Sequence, residues 1–217
     1  MNISLLKNVP LFAGLSEDLL GSIAIHGVVR NVPRNNILLH EGEQPDALYI
    51  VVTGKVKIYV GDVDGKELVL SILGPGGFFG EMAIIDGSPR SATVMSVEES
   101  TVVTIGKQDF LKCLREIPDL AFNLLVSFAR RIRNVNDHVR DLALLDVYGR
   151  VARTLLRLAK PKENILVTDA ITQQEIANMV GASREMVSRV LTNLKNDGFI
   201  SIAGKQITIC DPPALDI

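Results

Sequence analysis

Cysteine, histidine and tryptophan are scarce in this sequence, which restricts the metal and redox chemistry that it can support. There are two cysteines, three histidines and no tryptophan among 217 residues. Cys113 and Cys210 are too few for a disulfide framework or a four-thiolate iron-sulfur cluster within one chain. His26, His40 and His138 show neither HxH nor HExxH spacing, so we expect no bound metal.

Long apolar runs and a strong net charge are also absent. No run approaches the ~18 residues that a membrane helix needs, and the first seven residues lack the pattern of a secretory signal. We therefore expect a cytoplasmic protein without a membrane partner. The formal charge is −2, with only a slight basic excess over residues 146–217. Any DNA contact must then come from a few placed side chains and not from a broad basic surface.

Residues 79–94 combine features that are typical of a phosphate-binding loop. Gly80 allows a close backbone approach, Glu81 can accept hydrogen bonds from sugar hydroxyls, and Arg90 with Ser91 can hold a phosphate. The alternative is a surface hairpin in which Glu81 and Arg90 form an ordinary ion pair, a contact that contributes little.

From about Gly27 to Ile105 the sequence predicts a series of short strands separated by turns. A short helix capped by Ser16 precedes them, and Asp64-Gly65 is a hairpin signal among the turns. The apolar and β-branched runs are 37–39, 47–52, 56–60, 68–72, 83–85, 92–97 and 102–105. Regular short strands of this kind predict a jelly-roll or β-roll.

From Pro118 onward the pattern predicts one long helix of about 27 residues, roughly 40 Å at 1.5 Å per residue. Its apolar residues recur at spacings of four and three. They are Ala121, Leu125, Phe128, Ile132, Val135, Val139 and Leu142. The stripe could pack on the chain's own β-roll, but its 3.5-residue period and its length favour a parallel seam between two copies. Asp146 then predicts the N-cap of a further helix.

Residues 171–195 predict a helix-turn-helix. Thr172 and Glu175 form a capping box at the start of the first helix, Gly181 supplies the turn, and Ser183 caps the second helix. Near the N-terminal end of the second helix, four polar residues lie outside its apolar face: Arg184, Glu185, Ser188 and Arg189. Arginine can bind guanine and glutamate can accept from cytosine, so this set could read G·C pairs in a major groove. A solvated face of paired charges is the alternative.

Three segments resemble the CRP/FNR family of bacterial transcription regulators, in its cyclic-AMP receptor branch. They are the Gly-Glu to Arg-Ser-Ala cassette at 80–92, Asp-Leu-Ala-Leu-Leu-Asp-Val-Tyr-Gly-Arg-Val-Ala at 141–152, and Ser-Arg-Glu-x-Val-x-Arg at 183–189. The resemblance implies an α+β fold. Residues 1–118 would form a cyclic-nucleotide-binding β-roll, 119–145 a dimerisation helix, and 146–217 a winged helix-turn-helix DNA-binding domain whose hairpin wing spans 199–209.

The resemblance also assigns ligand-binding residues. They are Gly80, Glu81, Met82, Ala83, Arg90, Ser91, Val135 and Asn136. Glu81 would hold the ribose 2′-hydroxyl, and Arg90 with Ser91 the cyclic phosphate. Asn136 would face the base, whereas Val135 stands where the family has a hydrogen-bonding residue, a loss of about 0.5–1.5 kcal/mol. This loss would weaken cyclic AMP binding without excluding it. The resemblance favours cyclic AMP, and cyclic di-GMP, another effector or no effector stays an alternative.

For DNA, the resemblance implies a homodimer on a palindromic operator with TGTGA-like half-sites, together with RNA polymerase as a partner. The implied DNA-binding residues are Thr172, Gln173, Ser183, Arg184, Glu185, Ser188 and Arg189. Ser188 departs from the receptor branch, and Gln173 replaces a basic residue. Residues 160–168 are expected to be a loop that meets the polymerase. No catalytic constellation is visible outside these modules, so we expect no enzyme.

Overall fold

The computed structural model describes residues 2–62, 65, 67–162 and 165–215. Contacts divide the chain into two compact units, residues 1–132 and 133–217. Within the described ranges, no helix combines the length and the apolarity needed to cross a bilayer. The functional boundaries expected near residues 118 and 145 stay predictions. Asp64, the first position of the predicted hairpin turn, lies outside the described residues.

Two antiparallel four-stranded sheets form the body of the first unit. The strands are β1 (Gly27–Val32), β2 (Ile37–Leu39), β3 (Ala47–Thr53), β4 (Val56–Gly61), β5 (Glu67–Leu73), β6 (Phe78–Phe79), β7 (Thr93–Ser96) and β8 (Ser100–Gly106). One sheet has the order β1-β8-β3-β6 and the other β2-β7-β4-β5. Antiparallel pairing of β4 with β5 confirms the hairpin, and the two sheets confirm the predicted β-roll.

Helices precede, interrupt and follow these strands along the sequence. They are α1 (Ser4–Lys7), a 3-10 turn (Pro10–Phe12), α2 (Glu17–Ala24), α3 (Glu81–Asp86), α4 (Lys107–Glu116) and α5 (Pro118–Leu144). The Ser16 hydroxyl accepts from the backbone N–H of Leu19, as an N-cap should. Helix α5 has 27 residues, which confirms the long helix predicted from the sequence.

The expectation of a strand at residues 83–85 is wrong, because these residues lie in α3. Gly80 and Gly87 bracket this helix with φ angles of 87° and 73°, a left-handed conformation that favours glycine. The two glycines turn the chain into and out of a single short helix. A short apolar run does not distinguish a strand from a buried helical turn.

The core of the first unit has two layers that meet at β3. Successive side chains of a strand point to opposite faces, so Leu48 and Ile50 join the cluster under the helices, while Tyr49 and Val51 join the cluster between the sheets. Residues 47–51 are buried on both sides. This explains why β3 is a continuous apolar run and not an alternating one.

Helix α5 carries an exposed apolar stripe. Its residues Leu125, Ile132, Val135, Val139 and Leu142 are 54–64% exposed. The remaining large residue of the predicted seam, Phe128, packs partly against the core of its own unit. Packing on the chain's own unit therefore applies to Phe128, whereas a seam between two copies stays a prediction for the five exposed residues.

The second unit is a small α+β body around its own core. Its further elements are α6 (Val147–Leu158), β9 (Ala159–Lys162), β10 (Ile165–Thr168), α7 (Gln173–Val180), α8 (Arg184–Asn196), β11 (Ile200–Ala203), β12 (Gln206–Ile209) and α9 (Pro212–Leu215). The strand order is β11-β12-β10-β9. Strands β11 and β12 confirm the predicted wing. The loop expected over residues 160–168 is instead occupied by paired strands on both sides of residues 163 and 164, which lie outside the described residues.

Candidate functional site

Gly80 sits where the backbone, a guanidinium group and a neighbouring strand converge. A Cβ atom at this position would lie 2.8 Å from Arg90 Nη1 and 3.2 Å from the Ala47 carbonyl oxygen. Its φ of 87° is also unfavourable for any side chain. Glycine is therefore required here twice, for its conformation and for its size.

Arg90 is a buried part of the first unit and not a surface residue. It is 3% exposed. Nη1 donates to the Gly80 carbonyl at 2.5 Å, and Nη2 donates to the Ala47 carbonyl at 2.8 Å and to Asp46 Oδ1 at 2.7 Å. These bonds fix the guanidinium group at the start of α3, beside Glu81.

Glu81 is 1% exposed and pairs with a residue that the sequence did not link to it. Its Oε1 lies 2.5 Å from Arg131 Nη1. Arg131 Nη2 also donates to the Phe78 carbonyl at 2.7 Å, and its guanidinium carbon lies 4.6 Å from the centre of the Phe78 ring. Burial raises the pKa of the Glu81 carboxyl, and the Arg131 charge opposes that rise. The surface pair between Glu81 and Arg90, the alternative reading of this cassette, is not the arrangement found.

A pocket lies between α3, β7 and Arg131, within the first unit. It has a volume of about 70 Å³, and its lining includes all six predicted ligand residues of the cassette, from Gly80 to Ser91. Ala83 is buried in its wall, whereas Met82 and Ser91 are exposed. Val135 and Asn136, the remaining two predicted ligand residues, are exposed residues of α5 in the second unit.

Two buried polar atoms of this pocket have no hydrogen-bond partner. Among the residues that the structure describes, Glu81 Oε2 and Arg90 Nε are the buried side-chain atoms in this condition. An unpaired buried polar atom costs about 1–3 kcal/mol, and native proteins rarely tolerate one without a reason. One atom is an acceptor and the other is a charged donor. The pair therefore suits a ligand that presents both a hydroxyl group and an anionic group.

In the second unit, α7 and α8 begin with the predicted caps. Glu175 N–H donates to Thr172 Oγ1 at 3.2 Å, and Thr172 N–H donates to Glu175 Oε2 at 2.6 Å. Gly181 ends α7 with a φ of 63°, and Met186 N–H donates to Ser183 Oγ at 3.2 Å. The helix-turn-helix predicted from the sequence is confirmed.

Helix α8 buries one face and presents the other. Its buried residues are Val187, Val190, Leu191 and Leu194. The predicted base readers Arg184, Glu185 and Arg189 are exposed, and Ser188 is half-buried. Met186 is 44% exposed on the same first turn. The sequence pattern had not singled out this apolar side chain.

The charge of Glu185 is stabilised mainly by the start of its own helix. Hydrogen bonds from backbone N–H and from the Ser183 hydroxyl lower the pKa of its carboxyl, and the Arg184 and Arg189 charges contribute less. The ionised state of Glu185 therefore depends more on the start of α8 than on the two arginines. Thr172 and Gln173 are half-buried and Ser183 is exposed where α7 and α8 start.

Both units match known protein families. The model of the cyclic nucleotide-binding domain matches residues 29–116, and that of the Crp-like helix-turn-helix domain matches residues 149–216. A CRP-like cAMP-activated global transcriptional regulator of Mycobacterium tuberculosis is 35% identical over 216 residues, covering 97% of this chain and 96% of that protein. The chain belongs to the CRP/FNR family of transcription regulators.

Other members of the family differ in their stated effector. The cAMP-activated global transcriptional regulator CRP of Pasteurella multocida is 39% identical over 189 residues, 85% of this chain and 90% of that protein. Among solved structures, the cyclic di-GMP-responsive regulator CLP of Xanthomonas campestris has a TM-score of 0.79 at 27% identity, covering 89% and 99% of the two chains. The catabolite activator protein of Thermus thermophilus has a TM-score of 0.57 at 31% identity, covering 95% and 96%.

Proposed function

We propose that this chain is a sequence-specific regulator that binds operator DNA as a homodimer under the control of a cyclic nucleotide in the pocket of the first unit. The observation that carries the nucleotide site is the pair of unpartnered atoms, Glu81 Oε2 and Arg90 Nε. A ribose hydroxyl would donate to the first. A cyclic phosphate would accept from the second, and the exposed Ser91 hydroxyl would add a further donor.

Cyclic AMP is the favoured effector. Two relatives that are more than a third identical are named as cAMP-activated, and the two unpartnered atoms of the pocket would suit one hydroxyl and one phosphate. Cyclic di-GMP is the alternative, because the Xanthomonas regulator is similar in fold and is named as responsive to it. A pocket of about 70 Å³ is small beside the roughly 300–1,000 Å³ of most ligand sites, so the ligand would need further walls.

A calorimetric titration of the full chain with cyclic AMP, cyclic GMP and cyclic di-GMP tests this proposal. Binding of cyclic AMP, followed by tighter operator binding in a gel-shift assay, would support it. Binding of cyclic di-GMP instead would replace the effector and keep the site. If none of the three binds, and none raises the melting temperature, the proposed cyclic-nucleotide control is wrong, and another effector or none controls the chain.

Substitution of Val135, which the resemblance places opposite the base, is expected to raise the affinity for cyclic AMP. Val135 cannot form a hydrogen bond with a base, whereas threonine at the same position can. We expect Val135→Thr to tighten cyclic AMP binding by about 2- to 10-fold, the value of one hydrogen bond. Val139→Thr, a similar change one turn further along the helix, is the control. Equal effects of the two substitutions, or no effect of Val135→Thr, would remove Val135 from the site.

The exposed stripe of α5 supports the homodimer. Five apolar residues at heptad spacing are more than half exposed, and a two-helix seam would bury them. In such a dimer, a nucleotide held at Glu81 and Arg90 would favour one arrangement of the two helices. The two α8 helices would then reach major grooves about 34 Å apart on a palindromic operator. RNA polymerase as a partner and a cytoplasmic location belong to the same proposal.

Breaking the seam should separate the copies. Val139 is 59% exposed on the stripe, and Val139→Glu would place two carboxylates in an apolar interface. We expect sedimentation to change from that of a dimer to that of a 23.6 kDa monomer. Asn134→Glu, an exposed change off the seam, should leave a dimer. A dimeric Val139→Glu protein would show that another surface holds the copies together.

A further inference from the structure

A buried carboxylate near the end of α5 is not explained by the nucleotide site or by the DNA-reading helix. Asp141 is 5% exposed, in the second unit. Removing an ionised carboxylate from water costs several kcal/mol unless partners compensate it. An apolar residue could have filled this buried position without that cost. The partners of Asp141 therefore indicate why a carboxylate is present.

Two arginines of α6 occupy the two oxygens of Asp141. Arg153 Nη1 lies 2.9 Å from Oδ1, and Arg157 Nη2 contacts Oδ2. Residues four apart share one face of a helix, so both guanidinium groups reach from the same side of α6. His138 adds little positive charge near pH 7, because burial and the Arg157 charge lower its pKa. Both oxygens of the carboxylate are thus held by arginines of one helix.

Hydrogen bonds also hold the backbone where α5 meets α6, at residues 141–150, which we call the corner. Arg150 Nη1 donates to the Leu145 carbonyl at 3.0 Å, and Arg150 Nε donates to the Val180 carbonyl at 2.9 Å. A Cβ atom on Gly149 would lie 3.2 Å from Leu145 Cβ, so the start of α6 packs closely on the end of α5. Asp146 caps α6 by accepting from Gly149 N–H at 2.9 Å.

The division of the chain into units agrees with a rigid corner. The compact unit that contains the helix-turn-helix begins at Arg133 and not at the turn between α5 and α6. Residues 133–144 therefore belong with the DNA-reading elements. The sequence had predicted a domain boundary at residues 145 and 146, where a hinge would normally be placed.

We propose that Asp141 is a positioning residue that joins residues 133–144 of α5 and the helix-turn-helix into one cooperative body. Apolar contacts could stabilise the corner as well, but a buried ion pair with two fixed hydrogen bonds also sets the angle between two helices. Within this unit, a displacement of residues 133–144 would then be passed on to α8. The regulatory consequence rests on the proposed function, whereas the rigidity of the corner does not.

Hydrogen exchange of the full-length protein tests the rigidity directly. In the wild-type protein, amides of residues 135–144 should exchange together with those of α7 and α8, as one cooperative unit does. Asp141→Asn should speed exchange in residues 135–144 at least tenfold and leave α8 protected. Asp137→Asn is the matched control, since Asp137 is an α5 acid whose side chain is half exposed and paired with Arg140. Independent exchange of residues 135–144 in the wild-type protein would overturn the proposal.

A second measurement separates positioning from simple stability. The quantity to compare is the ratio of operator affinity with nucleotide to operator affinity without it. This ratio should be at least tenfold smaller in Asp141→Asn than in the wild-type or Asp137→Asn proteins, while nucleotide affinity stays unchanged. The double variant Asp141→Asn with Arg157→Gln removes one of the two arginine charges that the carboxylate had faced, which restores the net charge of the wild-type cluster, and it should stay uncoupled. Recovery of coupling in the double variant would reduce Asp141 to a stability role. A wild-type protein without a nucleotide response would contradict the proposed function and leave the exchange result to decide on the corner.

Discussion

Replacing Arg90 by alanine is expected to abolish nucleotide-dependent operator binding. The guanidinium group is buried, its Nε has no hydrogen-bond partner among the described residues, and Arg90 lines the same pocket as Glu81. A hydrogen bond between charged groups is worth about 1.5–3 kcal/mol, so nucleotide affinity should fall at least 10- to 150-fold. Calorimetry would give the affinity, and a gel-shift assay with and without nucleotide would give the response.

The same substitution also removes hydrogen bonds that stabilise the fold, so two further variants are needed to interpret its effect. Without Arg90, the carbonyls of Gly80 and Ala47 lose their donors, at about 1–3 kcal/mol for each group left buried. Ser91→Ala changes an exposed residue of the same pocket and should cost about 2- to 10-fold in nucleotide affinity without destabilising the fold. Arg115→Ala, an exposed arginine of α4, should change neither quantity. A full nucleotide response in both the Arg90 and the Ser91 variants would remove the phosphate site from the cassette.

Local features of the fold could be predicted from the sequence because they depend on neighbours in the chain. The capping box of Thr172 and Glu175 and the N-caps Ser183 and Asp146 are each completed within three residues. Helix α5 follows from a period that persists for 27 residues. Such signals do not depend on where the rest of the chain lies.

Partner choice over long distances could not be predicted. Glu81 and Arg131 are 50 residues apart, and Arg90 and Asp46 are 44 apart. Several acids and arginines were equally available in composition, and only the packing of α5 and β3 selects among them. The residues that the sequence pattern grouped as a cassette do line one pocket, but the long-range partners of Glu81 and Arg90 could not be predicted from the sequence.

The Glu81 and Arg131 pair also changes how the pocket would respond to a ligand. Arg131 occupies one carboxylate oxygen and stacks on Phe78, so a ribose hydroxyl would find the other oxygen already oriented. Since Arg131 lies on α5, a ligand that contacts Glu81 would act on the long helix through one side chain. This is a physical link between the nucleotide site and α5 that no local motif reveals.

Replacing Glu185 by alanine is expected to relax base preference and not merely to weaken DNA binding. The carboxylate is exposed on the first turn of α8 and is kept ionised there by backbone N–H groups and the Ser183 hydroxyl. An ionised carboxylate accepts from cytosine N4 and repels the acceptor atoms of other bases. Discrimination at one G·C pair of a TGTGA-like half-site should fall by about 5- to 150-fold.

The shape of the loss across operators distinguishes base reading from positioning. Binding of Glu185→Ala should be measured on a set of operators that vary one base pair at a time. Gln173→Ala is the contrasting variant. Loss of a phosphate contact at the start of α7 would weaken binding to every operator by the same factor. If Glu185→Ala also weakens all operators equally, Glu185 acts through the start of its helix, and Arg184 and Arg189 are left to read the half-site.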